Sequence, residues 1–355
     1  MRQSPDQALP TVDLNRRYVP MPPETTFLES ACHNQAFRPG SVFLPVTAAE
    51  HPEVCGLYEL HLADGRLDKL CSLPTTGLYF GSKITAEGIC YLCVGNEGKV
   101  LSVDLRAPSP SASVLVELPG SFEPNDLTLD EARGRLLIAC NDQIFDVLST
   151  RGQTLNALRI AGKSGGSVFE YRLDSGELRE YARGLRVLAG SILVPEDDAL
   201  WLSELNNLVR VPLDAPDEWT RVHPFDRRLL ADNLELRGTE LVFPYYRVVS
   251  GVSARIMQSK AVSRLLLGML RFVPERWFGE PPPQGEASDR FEDVCIGRYD
   301  LRTGAMHSYR IDIVDEDFDG HCTHVEWVGD ELVFINYLEP QILIVDAKPI
   351  FASRL

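Results

Sequence analysis

The sequence predicts an all-β fold, a six-bladed β-propeller with an α-helical insertion in the fifth blade. Three observations predict it: short alternating strands recur along the chain, turns rich in Asp, Gly or Ser join them, and helical periodicity is confined to one segment. A propeller arranges four-stranded sheets around a central channel. The 355 residues, of which 44% are hydrophobic, suffice for one large domain of this kind.

Two types of β-hairpin repeat along the chain. The first joins alternating strands by a tight polar turn and occurs at 56–70, 99–118, 167–181 and 295–311, with a weaker copy at 207–222. The second pairs an inner strand with a strongly apolar strand and occurs at 34–46, 82–94, 125–140, 190–204, 233–246 and 323–337. Two hairpins per unit, repeated six times, predict one propeller over residues 26–355, preceded by an N-terminal extension over 1–25.

The segment at about 250–290 breaks the strand pattern and is predicted to be helical. One stripe of this helix collects the apolar residues Ile256, Ala261, Leu265, Leu266, Met269 and Leu270, with Arg and Lys opposite. The stripe favours a helix that packs on one rim of the propeller. A lid over the substrate mouth is the functional alternative, since long insertions in compact domains are often lids. Membrane docking is the least favoured interpretation because the chain is acidic.

Charge and hydropathy exclude several classes of function. With 51 acidic against 35 basic residues the formal net charge is −16, which argues against a nucleic-acid partner. No run of 18 apolar residues predicts a membrane span, and the first twenty residues contain no apolar signal core. We therefore expect a cytoplasmic protein; its oligomeric state is not predicted.

The eight cysteines are scattered and predict reduced thiols rather than a disulfide framework. Cys90 and Cys93 have C-x-x-C spacing, but they lie within the predicted strand GICYLCV. Residues three apart on a strand point to opposite faces, so the pair is not expected to bind zinc or act in redox chemistry.

The first residues of each blade are candidates for a functional site, because the innermost strands line the channel. These residues are Glu29, Lys83, Asn125–Asp126, Ala189–Gly190, Asp232–Asn233 and His321–His324. Asn and Asp often start turns by bonding their own backbone, and they also supply the oxygen ligands that Ca²⁺ requires. Their recurrence at corresponding places in different blades favours a site.

Four stretches resemble blade starts of the gluconolactonase, fungal lactonohydrolase, paraoxonase and strictosidine synthase-like superfamily: LESACHNQAFRPGSVFLP, FEPNDLTLD, GLRVLAGSILVPEDDALWLSE and LADNLEL. The resemblance covers nearly the whole chain but is dispersed. It implies a channel Ca²⁺ held by Glu29, Asn125, residue 189, and Asp232 with Asn233. The superfamily has Asn where this chain has Ala189, and a methyl group cannot bind a hard cation. We therefore expect either no cofactor or a single, weakly held Ca²⁺.

Three functions are compatible with these features. The first is a metal-independent cyclase of natural-product biosynthesis, since the chain also resembles fungal hetero-Diels–Alderases; it would position a small hydrophobic substrate in the channel. Its hydrogen-bond donors to a substrate carbonyl would be Lys83, Tyr246, Arg247 or His324. The alternative is a Ca²⁺-dependent lactonase or esterase. A non-catalytic interaction propeller ranks last, because the sequence has no WD or kelch signature.

Overall fold

The structure is a computed structural model that describes residues 11–12, 16–142, 151–152, 154–155, 158, 165–204, 207–224, 229–247, 259–278, 294–311, 322–336 and 341–348. For residues 11–12, 224, 229–230, 245–247 and 260 it describes the backbone alone. Six β-sheets surround a central channel, which confirms the predicted six-bladed β-propeller.

The first three blades follow one another along the chain. Blade one has an innermost segment that bridges Phe27 to Thr47 and Cys32 to Phe43, and then strands β3 (Ser41–Val46), β4 (Gly56–His61) and β5 (Arg66–Ser72). Blade two comprises β6 (Tyr79–Ile84), β7 (Ile89–Val94), β8 (Lys99–Asp104) and β9 (Ala112–Glu117). Blade three comprises β10 (Phe122–Asp130), β11 (Arg135–Asp142), β12 (Gly166–Arg172) and β13 (Leu178–Leu185).

The other three blades complete the ring. Blade four comprises β14 (Gly190–Val194), β15 (Ala199–Ser203), β16 (Asn207–Pro212) and β17 (Thr220–Pro224). Blade five has a split inner strand, β18 (Leu229–Ala231) and β19 (Glu235–Arg237), then β20 (Glu240–Arg247), β21 (Val294–Asp300) and β22 (Met306–Ile311). Blade six comprises β23 (Cys322–Val328), β24 (Glu331–Asn336) and β25 (Gln341–Asp346). The helix α1 (Lys260–Leu270) follows β20, and 3-10 turns occupy Gly95–Glu97, Glu131–Arg133, Pro195–Asp197, Pro216–Glu218 and Glu275–Trp277.

The same turn joins the first two strands of blades three and four. In each, a 3-10 turn is followed by one residue in the left-handed region, Gly134 with φ 58° and Asp198 with φ 45°. Gly adopts this conformation without strain, and Asp is among the residues that tolerate it. The matching turns show that the sequence repeat is a structural repeat.

The N-terminal strands close the ring. β2 (Arg16–Val19) pairs antiparallel with β25 and so forms the outermost strand of blade six. β1 (Thr11–Val12) pairs parallel with β22 at the outer edge of blade five. Both strands come from the segment assigned above to an N-terminal extension, so part of that segment belongs to the β-sheets. Residues 16–19 and 341–346 thereby meet in one blade.

The hydrophobic core is divided into layers between neighbouring blades. Phe43 and Tyr79 are fully buried between blades one and two, and Phe334 is buried between blades five and six. Cys90 packs in the layer that blade two shares with blade one, and Cys93 in the layer that it shares with blade three. The two thiols therefore point to opposite faces, as predicted, and all eight cysteines are free.

Two long insertions leave the propeller on the same face. β11 ends at Asp142, opposite Phe122, where the inner strand β10 begins; β20 ends at Arg247, opposite Leu229, where β18 begins. The segments that follow β11 and β20 therefore emerge where inner strands start, which we call the upper face. The second segment contains α1, which confirms a helical insertion in blade five; 250–258 and 279–290 lie outside the described residues. Within the described part of the chain, no helix is long and apolar enough to cross a membrane.

A close approach of two inner strands makes Gly190 sensitive to substitution. A Cβ atom at this position would lie 2.6 Å from the Cα of Asn233 and 2.8 Å from the backbone nitrogen of Leu234. Backbone atoms cannot rotate away, so we expect Gly190→Ala to lower the free energy of unfolding by about 1–3 kcal/mol. The measurement is the midpoint of urea unfolding. Gly268→Ala is the matched control, since its Cβ would meet nothing within 4 Å on α1 and should stabilise by up to about 1 kcal/mol. Equal stability of Gly190→Ala and the native protein would contradict the close approach.

Candidate functional site

Polar side chains tie the inner strands of adjacent blades together around the channel. Between blades one and two, Ser30 Oγ lies 2.5 Å from Ser82 Oγ. Between blades three and four, Ser191 N and Oγ donate to Asp126 Oδ2 at 2.6 and 2.9 Å. Between blades five and six, Asn233 Nδ2 donates to the Thr323 carbonyl at 3.1 Å. Such hydrogen bonds fix the rotamers of buried polar groups. The residues that line the channel are therefore held in place from neighbouring blades.

Three buried carboxylates converge from alternate blades, and we call them the carboxylate trio: Glu29 of blade one, Asp126 of blade three and Asp232 of blade five. They are 8%, 3% and 6% exposed. Burial raises the pKa of all three, and the negative charges of Asp232 and Asp126 raise the pKa of Glu29 further. The charge of Asp126 likewise raises the pKa of Asp232. The trio therefore favours either bound protons or a cation.

Two amides next to the trio add neutral oxygen atoms. The side-chain nitrogen of Asn125 faces the carbonyls of Leu188 at 3.3 Å and Ala189 at 2.8 Å, so its Oδ1 lies on the other side of the amide. Asn233 also directs its nitrogen to a carbonyl. Carboxylate and amide oxygens together are the donor set of a hard cation such as Ca²⁺. These residue types match the donor set of such an ion, although Ala189 supplies no side-chain ligand. Among the described residues, the three acidic or imidazole side chains with ligand atoms within 4.8 Å of one another are instead Glu235, His324 and Glu326.

A second group of ionisable side chains forms what we call the acid–base cluster: Lys83, Glu235, His324 and Glu326. Lys83 Nζ lies 3.7 Å from Glu235 Oε1. Lys83 belongs to blade two and Glu235 to blade five, which stand opposite each other in a ring of six, so this ion pair crosses the channel. His324 Nε2 lies 3.2 Å from Glu326 Oε2, and one ligand atom each from Glu235, His324 and Glu326 lie within 4.8 Å of one another.

All four side chains of the acid–base cluster have pKa values shifted from their usual ones. Burial and then the charge of Glu326 raise the pKa of Glu235 to about 8, and burial raises the pKa of Glu326 to about 7. Burial and then Lys83 lower the pKa of His324 to about 4. For Lys83, burial by itself lowers the pKa, but the carboxylates of Glu235, Asp126 and Glu326 outweigh it and raise the pKa above its usual value. At neutral pH the ammonium is therefore charged, the imidazole is neutral and Glu326 is close to its titration midpoint.

One nitrogen of His324 is buried and has no hydrogen-bond partner among the residues that the structure describes. This atom is Nδ1, while Nε2 contacts Glu326. When Glu326 is ionised, it accepts the proton of Nε2–H, and Nδ1 then presents a lone pair. Buried polar atoms without a partner are rare and frequently mark functional positions. Nδ1 can therefore accept a proton from a molecule in the channel.

The structure brings together some of the residues predicted from the sequence and leaves others undescribed. Lys83 and His324, predicted as separate donors, lie in one cluster. Tyr246 and Arg247 are on β20, the second strand of blade five, and their side chains lie outside the described part of the structure. His321 is likewise outside it.

Sequence reasoning missed Glu235 and Glu326. A signal existed for Glu326: it follows His324 by two positions on one strand, and residues i and i+2 share a face. Glu235 had no comparable signal, because the inner strand of blade five is split between β18 and β19.

Comparisons with known proteins establish the fold. No protein-family model matches the sequence, and no curated protein matches it significantly. Among solved structures, regucalcin, a calcium-binding protein from Agrobacterium tumefaciens, is 14% identical with a TM-score of 0.58 over 95% of each chain. A gluconolactonase from Xanthomonas campestris is 13% identical with a TM-score of 0.56 over 91% of this chain and 86% of that one. A luciferin-regenerating enzyme is 10% identical with a TM-score of 0.57 over 91% and 92%. The chain is thus similar in fold to gluconolactonase and regucalcin-type propellers.

Proposed function

We propose that this protein is an enzyme that hydrolyses lactones with the help of a Ca²⁺ ion bound by the carboxylate trio. The observation that carries the proposal is the burial of Glu29, Asp126 and Asp232 near enough to interact: the charges of Asp232 and Asp126 raise the pKa of Glu29, and the charge of Asp126 raises the pKa of Asp232. Burying like charges together is unfavourable unless a cation or protons offset them. A gluconolactonase and a calcium-binding protein have similar folds, which supports the same chemistry here.

The residues that would hold the ion are Glu29, Asp232, Asn125 and Asn233, with Asp126 adding negative charge. A cation bound there would polarise the lactone carbonyl and stabilise the negative charge that develops on its oxygen. Since residue 189 is Ala, one side-chain ligand of the superfamily pattern is missing. We therefore expect weaker binding of calcium than that pattern would give.

The acid–base cluster supplies the proton transfers. A water oxygen attacks the carbonyl carbon, and His324 Nδ1 takes a proton from this water while the ionised Glu326 holds Nε2–H. The ring C–O bond then breaks, and the proton passes from His324 to the departing alkoxide oxygen. The product is the open-chain hydroxy acid. Lys83 stays protonated and donates hydrogen bonds to negative charge in the channel, while Glu235, whose pKa is raised to about 8, is mostly protonated at neutral pH.

A metal-independent cyclase is the second candidate function, and the observation that favours it is Ala189 at a ligand position. Its work would be to orient a reactive apolar substrate, with Lys83 or His324 bonding a substrate carbonyl. The two candidates differ in whether a metal is needed.

Calcium content and lactone hydrolysis, measured on the same preparation, distinguish these candidates. We expect about one Ca²⁺ per chain by elemental analysis after dialysis against calcium, in line with one ligand set. We also expect hydrolysis of a panel of lactones to stop in chelator and to return on adding Ca²⁺. A protein that takes up no calcium and is inert on every lactone would rule out the first candidate.

A further inference from the structure

The helix α1 presents a row of large apolar side chains to solvent. Val262, Leu265, Met269 and Phe272 are 41%, 63%, 60% and 75% exposed. Their spacing of three, four and three residues puts them on one side of the helix and of the turn that follows. Trp277, in the 3-10 turn that follows α1, is 74% exposed. Exposed apolar residues at this density mark interaction surfaces rather than ordinary surface.

The opposite side of α1 packs on the protein. Ser263 is buried, and Leu266, Leu267 and Leu270 are half-buried. The helix begins at a defined cap, where the Ser259 hydroxyl accepts a hydrogen bond from the Val262 backbone at 3.3 Å. Of the stripe that the sequence predicted to pack, Leu265 and Met269 instead face solvent. The helix is therefore anchored by one apolar face while a second remains exposed.

The segment that contains this surface is basic in an acidic protein. Residues 259–278 contain Lys260, Arg264, Arg271 and Arg276 against the single acid Glu275, a net charge of +3, whereas the whole chain carries −16. The Glu275 carboxylate accepts a hydrogen bond from the Arg151 backbone at 3.2 Å. The Arg271 guanidinium lies 4.8 Å from the centre of the Phe272 ring. Positive charge is thus concentrated beside the exposed apolar row.

This surface belongs to an insertion that leaves the propeller on the upper face. The insertion after β20 emerges on the upper face, and so does the insertion after β11. The two insertions touch, because the Arg151 guanidinium donates to the Arg271 carbonyl and its backbone donates to Glu275. The segment that carries the basic, apolar surface is therefore held in place by hydrogen bonds to the insertion of blade three.

We propose that Val262, Leu265, Met269, Phe272 and Trp277, with the basic residues around them, form a docking surface for an anionic lipid membrane. A helix with exposed apolar and basic residues lies in the plane of the interface, with its apolar side chains among the acyl chains and its cations at the headgroups. Phe and Trp suit this boundary. Docking would turn the upper face, and with it the channel, toward the lipid. The proposal does not depend on the reaction proposed above.

Other occupants fit less well. In a symmetric dimer the same patch meets itself, so the basic residues of the two copies would face each other. A lid would turn its apolar row toward the channel, whereas this row is exposed to solvent. An anionic membrane matches both the exposed apolar area and the positive charge.

The test is flotation of the full-length protein with vesicles. We expect it to float with phosphatidylcholine vesicles that contain phosphatidylserine, to float poorly with phosphatidylcholine alone, and to release as salt is raised. Leu265→Glu and Phe272→Glu should each weaken binding about tenfold or more, because an apolar side chain that enters the lipid on docking is replaced by a charge. Arg276→Gln should weaken binding to the anionic vesicles about fivefold.

Val114→Glu is the matched control, since Val114 is 51% exposed on the outermost strand of blade two and should leave flotation unchanged. Circular dichroism and melting temperature verify that each variant is folded. The proposal fails if the native protein does not float, or if the two Glu variants float as well as it does. Self-association that these variants abolish, without flotation, would assign the surface to a second copy. Hydrolysis of a water-soluble lactone should be the same in all variants, so this result separates docking from the proposed reaction.

Discussion

The double variant E29Q/D232N should lose calcium binding and, with it, lactone hydrolysis by a factor on the order of a thousand. A bound cation contributes several kcal/mol to stabilising a developing oxyanion, and each 1.36 kcal/mol is about tenfold in rate. The substitutions keep the size of both side chains and remove two of the three converging charges. The measurements are kcat on a lactone and elemental analysis of the protein.

The same variant should respond to calcium and pH differently from the native protein in thermal unfolding. The pKa values of Glu29 and Asp232 are raised in the folded state, so their contribution to stability is present below the unfolded pKa and is lost as pH rises. In chelator, the native protein should therefore lose more stability than the variant between about pH 4 and neutrality. Calcium at about 100 times its Kd should stabilise the native protein by roughly 2.7 kcal/mol and the variant not at all.

Glu59→Gln is the control for this pair. Glu59 is as buried as the trio, but it lies on β4, away from the channel. It accepts hydrogen bonds from Ser41 at 2.7 Å and from the Arg38 guanidinium. Its replacement should lower stability and leave the calcium response intact. A calcium-dependent rise in melting temperature that persists in E29Q/D232N would show that the trio is not the metal site.

Glu326→Gln should lower kcat by about a hundredfold to a thousandfold, within the range of general base catalysis, and should change the pH profile. The pKa of Glu326 is raised to about 7, so its carboxylate form, which holds His324 in the required tautomer, predominates above that pH. The rate of the native protein should therefore rise through about pH 7. In the variant this rise should disappear, because the amide does not titrate.

The pH profile separates catalysis from a loss of structure. A merely destabilised variant would keep the shape of the profile at a reduced amount of folded protein, as we expect for Glu59→Gln. His324→Gln should lower kcat at least as far as Glu326→Gln, since it removes the accepting Nδ1 atom. An unchanged profile in Glu326→Gln would assign the rise near pH 7 to another group and remove this residue from the proposed mechanism.

The repeat made most of the fold predictable from the sequence. The turn LDEARG in blade three and the turn VPEDDA in blade four occur at matching places. Their local chemistry specifies the hairpins without contacts from distant parts of the chain. The starts of the inner strands were predictable for the same reason, because a propeller directs them to one axis. Glu29, Asn125 and Asp232 follow from that geometry alone.

Contacts across the ring were not predictable from local pattern. Lys83 and Glu235 are 152 positions apart and meet only because six blades place the second opposite the fifth. The strand RRYV at β2 is short and half charged, and nothing in it indicates a partner at the other end of the chain. For α1, Leu265 and Met269 of the predicted stripe are exposed whereas Leu266 and Leu270 are half-buried, so the stripe by itself did not determine which side packs.

Closure of the ring by β2 has a consequence for how the protein forms. Blade six requires Arg16–Val19 as well as Gln341–Asp346, so this sheet cannot be completed until the ribosome has synthesised all the blades between them. Joining segments so far apart is entropically slow, and until β2 arrives the edge of β25 offers unpaired backbone groups to other chains. Aggregation during synthesis should therefore begin at blade six, and shortening the N-terminus past residue 19 would make that exposure permanent.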